Sequence, residues 1–158
     1  MKKCVLMLDN IRSVENTGSI FRTADCLGVS HVILVGITPA PIDRFERKRK
    51  DFAKVALGAE KLISYEVTKS ISLTIQKLKK EGYKIISLEQ TNKSQNLKNF
   101  IAPEKFVLVV GNEVGGVSKE ILEQSDETIE IEMKGKKESL NVSVATGIAL
   151  FELLDENK

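Results

Sequence analysis

The chain has 158 residues, 42% hydrophobic and 29% charged, the size and balance of one ordinary globular domain, with no disordered or fibrous bias. No stretch approaches the roughly 18 apolar residues of a membrane helix, and the apolar start that ends at Asp9 is too short for a signal-peptide core. A net charge of +2 does not announce a nucleic-acid binder, and Cys4 and Cys26, without a Cys-x-x-Cys spacing, indicate neither a disulfide framework nor a zinc site, which fits a reducing cytoplasm.

In chain order, Val5 to Leu8 reads as a strand, and Ser19 to Leu27 as a helix closed by Gly28. His31 to Val35 is continuously apolar, as a strand covered on both faces should be. A loop with Pro39, Pro41 and a basic run follows, then Lys61 to Val67 and a helix over Ile71 to Lys80 that Gly82 ends. Tyr83 to Leu88 and Phe106 to Val110 are strands on either side of the polar stretch Gln90 to Asn96. Ser118 is a candidate cap for a helix over Lys119 to Gln124, Thr128 to Met133 is a strand, and Asn141 to Leu154 is a long apolar helix. Strands alternating with helices predict a mostly parallel α/β sheet flanked by helices. With no repeat, linker or low-complexity tract, one domain over 1–158 is expected, with no second domain.

Three segments carry chemistry. The first, Glu15 to Asp25, places Asn16 at the mouth of a helix and Arg22 on an otherwise mainly apolar stretch. Asn16 is suited to capping and Arg22 to pairing with a carboxylate, the usual fate of such residues, while a planar guanidinium can also hold a phosphate or a reacting oxygen. The second, Leu108 to Ser118, is a buried strand feeding a glycine-rich loop that leads to a helix. Ligands bind beyond the carboxyl ends of strands in such sheets, although a tight turn uses glycine too. The loop lacks the spacings of a triphosphate-binding or dinucleotide-binding loop. The third, Glu138 to Glu152, opens with polar Ser139, Asn141 and Ser143 before its apolar helix. One cap needs only one of these, so the others are available to a ligand.

In this order the segments resemble the signature motifs of the SpoU/TrmH family of SPOUT RNA methyltransferases. Asn16-x-Gly18-x-x-x-Arg22-Thr23-Ala24 looks like the first, Gly111-Asn112-Glu113-x-x-Gly116-Val117-Ser118 the second, and Ser139-Leu140-Asn141-Val142-Ser143 the third. Lys54 to Glu60 also resembles an element between the first two motifs in some members. The likeness spans nearly the whole chain, and one departure is Glu132, where many members have proline.

The resemblance implies a C-terminal deep trefoil knot, a topology outside the usual expectation for protein chains. It also implies S-adenosylmethionine held in the knot cleft, lined by Leu88, Gly111, Asn112, Glu113, Gly116, Ile131, Met133, Leu140 and Asn141. It implies a homodimer in which Arg22 approaches the partner's cofactor, and 2′-O-methylation of tRNA or rRNA, with no metal and no membrane. Arg22 would then hold the target hydroxyl or its phosphate, with Asn16, Glu113, Ser139 and Asn141 as orienting partners. A guanidinium stays protonated, so stabilising the developing alkoxide suits it better than acting as a base.

The basic run places five positive charges, Arg44, Arg47, Lys48, Arg49 and Lys50, in seven positions. Such a run is commonly a solvated face, but beside these motifs it becomes a candidate RNA contact. Two other readings remain from the sequence: a catalytically silent RNA-binding or assembly factor with the same fold, and a flavodoxin-like or nucleotide-binding α/β domain. His31, the only histidine, begins a strand and is given no catalytic role.

Overall fold

The computed structural model describes residues 1–157. Strands β1 (Lys3–Asp9), β2 (His31–Val35), β3 (Tyr65–Thr68), β4 (Lys84–Leu88), β5 (Gln95–Asn96), β6 (Lys105–Val110) and β7 (Glu127–Glu130) form one sheet in the order β3-β2-β1-β6-β4-β7-β5. Every pairing in it is parallel. All the carboxyl ends therefore lie along one edge, where ligands bind in open sheets of this kind.

The apolar runs form strands because both sheet faces are covered. Cys4, Leu6, Leu8, Val32, Leu34, Phe106 and Leu108 face α1 (Val14–Cys26), α2 (Lys50–Ala56) and α6 (Val142–Leu153). Val5, Met7, Ile33, Val107 and Val109 face α4 (Ile71–Lys80) and α5 (Lys119–Leu122). Phe21 of α1 is fully buried and meets Phe52 and Tyr65 edge-on, with ring centroids 5.1 and 5.8 Å away. Truncation of such a side chain typically costs ~3–5 kcal/mol.

Several element boundaries differ from the sequence expectation. Helix α1 starts at Val14, capped by Ser13, whose side chain accepts the Asn16 amide at 3.1 Å. Asn16 thus lies inside the first turn and is not the cap. Helices α2 and α3 (Ala59–Leu62) occupy part of the expected loop. Their apolar stripe is too narrow to stand out, since α2 buries only Phe52 and Ala56. The segment 61–67 is divided between α3 and β3, and β7 stops at Glu130, short of Met133. Strand β5 has two polar residues and no apolar signature. Among the described residues no helix is long and apolar enough to cross a membrane.

Candidate functional site

At the carboxyl ends of β4, β6 and β7 lies a cavity of about 520 Å³, within the range of small-molecule sites. Its walls are the loops after those strands and the segment that enters α6. Leu88, Gly111, Asn112, Glu113, Gly116, Ile131, Met133 and Leu140, expected from the sequence, line it, and so does Ser139. Asn141 does not. It caps α6, its Oδ1 accepting the Ser143 amide at 2.9 Å, while its Nδ2 points to α1.

The loop 111–117 is held from several sides. The Asn112 amide donates to Gly116 O and the Gly116 amide to Asn112 O, both at 2.9 Å, which closes a tight turn. The Asn112 side chain fills the turn, accepting the amides of Val114 and Gly115 and donating to Asn10 O at 2.7 Å. Just beyond, the Ser118 amide donates to buried Asp9 at 2.7 Å, which joins this segment to the end of β1. Ser118 occupies the cap position of α5, but its side chain caps nothing and its Oγ is buried without a partner. Glycine is required at two places. A Cβ on Gly111 would lie 2.2 Å from the Val117 nitrogen, and one on Gly116, which holds φ +69, would lie 2.0 Å from Glu89 Oε2. Both glycines line the cavity, and packing within the loop itself is what demands them.

Glu89 was not anticipated. It follows β4, and its carboxylate accepts the Val117 amide at 2.8 Å and the Gln90 amide at 2.9 Å, bracing one wall of the cavity against the other. Gln90, Thr91, Glu130 and Glu138 also line the site. A glutamate after a strand is common, so only its meeting with Gly116 in three dimensions marks it. Among the described residues the cavity thus presents four glutamates, Glu89, Glu113, Glu130 and Glu138, and no lysine, arginine or histidine. Such a lining suits a cationic ligand and opposes a phosphate-bearing one. A cofactor that combines a sulfonium with an amino-acid group and an adenosine fits this volume, this charge and these glycines. Among the described residues no group of His, Cys, Asp or Glu has the geometry to hold a metal ion.

The three sequence motifs meet at Asn16. Its Nδ2 donates to Glu113 Oε1 at 3.1 Å and its Oδ1 accepts from Asn141 Nδ2 at 3.1 Å. Glu113 also accepts the amides of Arg12 and Ser13, at 3.0 and 3.2 Å, an anionic cap on the positive end of α1. Partial burial would raise the Glu113 carboxyl, but hydrogen bonds from Arg12, Asn16 and Ser13 outweigh it, and its pKa falls below the ordinary value.

Arg22 stands well inside α1 rather than near its start, exposed, and has no carboxylate partner among the described residues. It is not part of its own chain's cavity wall. In the basic run, Arg47 pairs with Asp43 at 2.9 Å and Arg49 with Asp51 at 2.7 Å. Arg44, Lys48 and Lys50 have no carboxylate partner among the described residues.

Comparison with known proteins places this geometry. The profile of the SpoU rRNA Methylase family matches residues 3–151. The chain is 33% identical over 151 residues to a tRNA (guanosine(18)-2'-O)-methyltransferase of Aquifex aeolicus, covering 96% of this chain and 68% of that protein. It is 34% identical over 148 residues to the 23S rRNA (guanosine-2'-O-)-methyltransferase RlmB of Neisseria meningitidis, covering 94% of this chain and 56% of that one. A crystal structure of an AdoMet-bound rRNA methyltransferase from Sinorhizobium meliloti superposes with a TM-score of 0.85 at 28% identity, over 95% of this chain and 55% of that chain.

Proposed function

The chain belongs to the SpoU rRNA Methylase family, and from that premise we propose that it transfers a methyl group from S-adenosylmethionine to a ribose 2′-hydroxyl of transfer or ribosomal RNA. The observation that carries this reading is the anionic, glycine-lined cavity at the sheet's carboxyl edge, tied through Glu113 and Asn16 to the helix that bears Arg22. The same lining argues against a nucleotide or flavin phosphate as occupant.

When bound, the cofactor supplies an electrophilic methyl group on a sulfonium. Around it, Leu88, Ile131, Met133 and Leu140 give apolar walls, the loop 111–116 gives backbone groups, and Glu89 keeps that loop closed. The attacking ribose oxygen has to be aligned with the methyl carbon and relieved of its proton. Arg22, permanently charged, holds the hydroxyl or the adjacent phosphate and stabilises the alkoxide as it develops. Ser139 at the rim orients the substrate, while Asn16, Glu113 and Asn141 act as positioning residues for the start of α1.

Among the described residues the cavity wall has no cation, so in this reading the guanidinium comes from a second copy, and the active form is a homodimer. Helix α6 supports this. Val144, Ile148 and Phe151 lie along one of its sides and are 50%, 42% and 71% exposed, an apolar stripe of a kind that marks an interface. The deep knot belongs to the same reading. With β6 between β1 and β4 and β7 beyond β4, the chain must pass β4 after β6 before α6 returns against α1. A cytoplasmic setting is supported by Cys4 and Cys26 being unpaired.

The test is incubation with methyl-labelled cofactor and unmodified tRNA and rRNA, followed by nucleoside mass spectrometry. A 2′-O-methylnucleoside is expected, reduced on the order of 100-fold or more in Arg22→Ala. A methylated base, or no transfer to either RNA by a protein that binds the cofactor, overturns the proposal.

A further inference from the structure

Between β2 and α2 the chain forms a narrow turn. Ile42 and Lys48 make an antiparallel bridge. The Asp43 amide donates to Arg47 O at 2.9 Å, and the Glu46 amide to Asp43 O at 3.0 Å. The Asp43 carboxylate accepts the amides of Phe45 and Arg47 at 2.8 and 3.0 Å and the Arg47 Nε at 2.9 Å. These bonds, that of the Arg47 amide foremost, hold its carboxyl below the usual range, so the frame stays ionised at neutral pH. At the tip the frame fixes Phe45, 61% exposed. The guanidinium carbons of Arg44 and Arg47 lie 4.7 and 5.0 Å from its ring centroid.

Neither core cluster includes Phe45, so folding does not account for an aromatic held out on a stiff support. A rigid ring flanked by cations meets a different need, since every nucleobase offers a flat face to stack and a phosphate beside it. The turn leaves the carboxyl end of β2, on the edge of the sheet where the cavity opens. Through α2 it adjoins α1, where Phe52 packs on Phe21, one residue before Arg22.

We infer that Phe45, with Arg44 and Arg47 against its ring, is a stacking platform for an unpaired nucleobase of the RNA substrate. The inference rests on the RNA reading above and adds to it a demand for single-stranded nucleotides near the target. Lys48 and Lys50 supply charge for the flanking phosphates, whereas Arg47 and Arg49 are already balanced by Asp43 and Asp51. Because stacking tolerates any base, the platform strengthens binding without setting sequence.

The test is fluorescence anisotropy of a labelled single-stranded oligoribonucleotide and of a blunt duplex of the same sequence, across a salt series, with the full chain. Phe45→Ala should weaken single-strand binding roughly 5- to 100-fold with the salt slope unchanged, and Phe45→Tyr should restore it. Lys48→Gln should instead lower the slope by about 0.7. Duplex binding should not respond to Phe45→Ala. Wild-type affinity in Phe45→Ala, or equal losses on single strand and duplex, overturns the platform and leaves the methyltransferase reading intact. A wild-type protein that binds no RNA overturns both.

Discussion

The side-chain amide of Asn16 donates to Glu113 at 3.1 Å across 97 residues of chain, which ties the start of α1 to the cavity loop. Asn16→Ala should remove this tie and the one to Asn141. The pair is exposed, so the loss should be modest, about 1 kcal/mol in chemical denaturation, with weaker cofactor binding by calorimetry. Asn16→Asp should cost more, because it sets a second carboxylate against Glu113. Equal stabilities for the two variants would show that the hydrogen bond to Glu113 does not couple the elements.

How much of this was legible follows from the kind of signal each element carries. Strands β1, β2 and β6 are buried on both faces, so continuous apolar runs announced them. Helix α2 buries only Phe52 and Ala56, and β5 is two polar residues held to β7 by backbone pairing and by the Gln95 side chain on Glu127, so neither left an apolar pattern. Eight of the nine residues that the family resemblance assigned to the cofactor line the cavity, yet the contacts within it came only from the fold. Ser13 takes the cap that Asn16 appeared to fill, and Asn141 faces Asn16 rather than the cavity. Glu89 became visible through its distance to Gly116. In the basic run the neighbouring Asp43 and Asp51 were already visible, but only their pairing with Arg47 and Arg49 reduces the five cations to three without a carboxylate partner among the described residues.

Glu113 sets a pH dependence. Its pKa is lowered in the folded chain from the model-peptide value of 4.5, so its contribution to stability is complete above that value and is lost as pH falls through the lower folded one. Glu113→Gln lacks the ionisation but keeps an acceptor for one amide. The difference in Tm between wild type and Glu113→Gln should therefore be largest near pH 6 and shrink towards pH 3. A gap that stays constant over that range would mean that the carboxylate's hydrogen bonds do not favour its charged form.

Gly116 and Glu89 should behave as one unit. An alanine Cβ at 116 meets the flexible end of Glu89, which can move aside only by releasing the amides of Val117 and Gln90. Gly116→Ala and Glu89→Ala therefore both lose this latch, worth about 1–3 kcal/mol, so the double variant should fall short of the sum by that shared part, while the strain of an alanine at φ +69 remains. Gly111→Ala meets backbone at 2.2 Å instead, so Glu89→Ala should not relieve it. Additive losses at 89 and 116, measured by denaturation and cofactor affinity, would refute the latch.

The position of Arg22 yields the most direct test of a shared active site. Arg22→Ala spoils only the guanidinium, whereas Leu140→Trp fills the cavity from its rim, where Leu140 lines the wall. If each site combines one chain's cavity with the partner's Arg22, the two inactive proteins complement each other when unfolded together and refolded. In a mixed dimer the Arg22→Ala chain keeps an open cavity and receives the guanidinium of the Leu140→Trp chain. Random pairing makes half the dimers mixed, each with one working site of two, so activity should return to about a quarter of wild type. If instead the guanidinium served its own chain's cavity, no pairing would create a working site and the mixture would stay inactive. The measured fraction thus separates a site built between two chains from one complete in each.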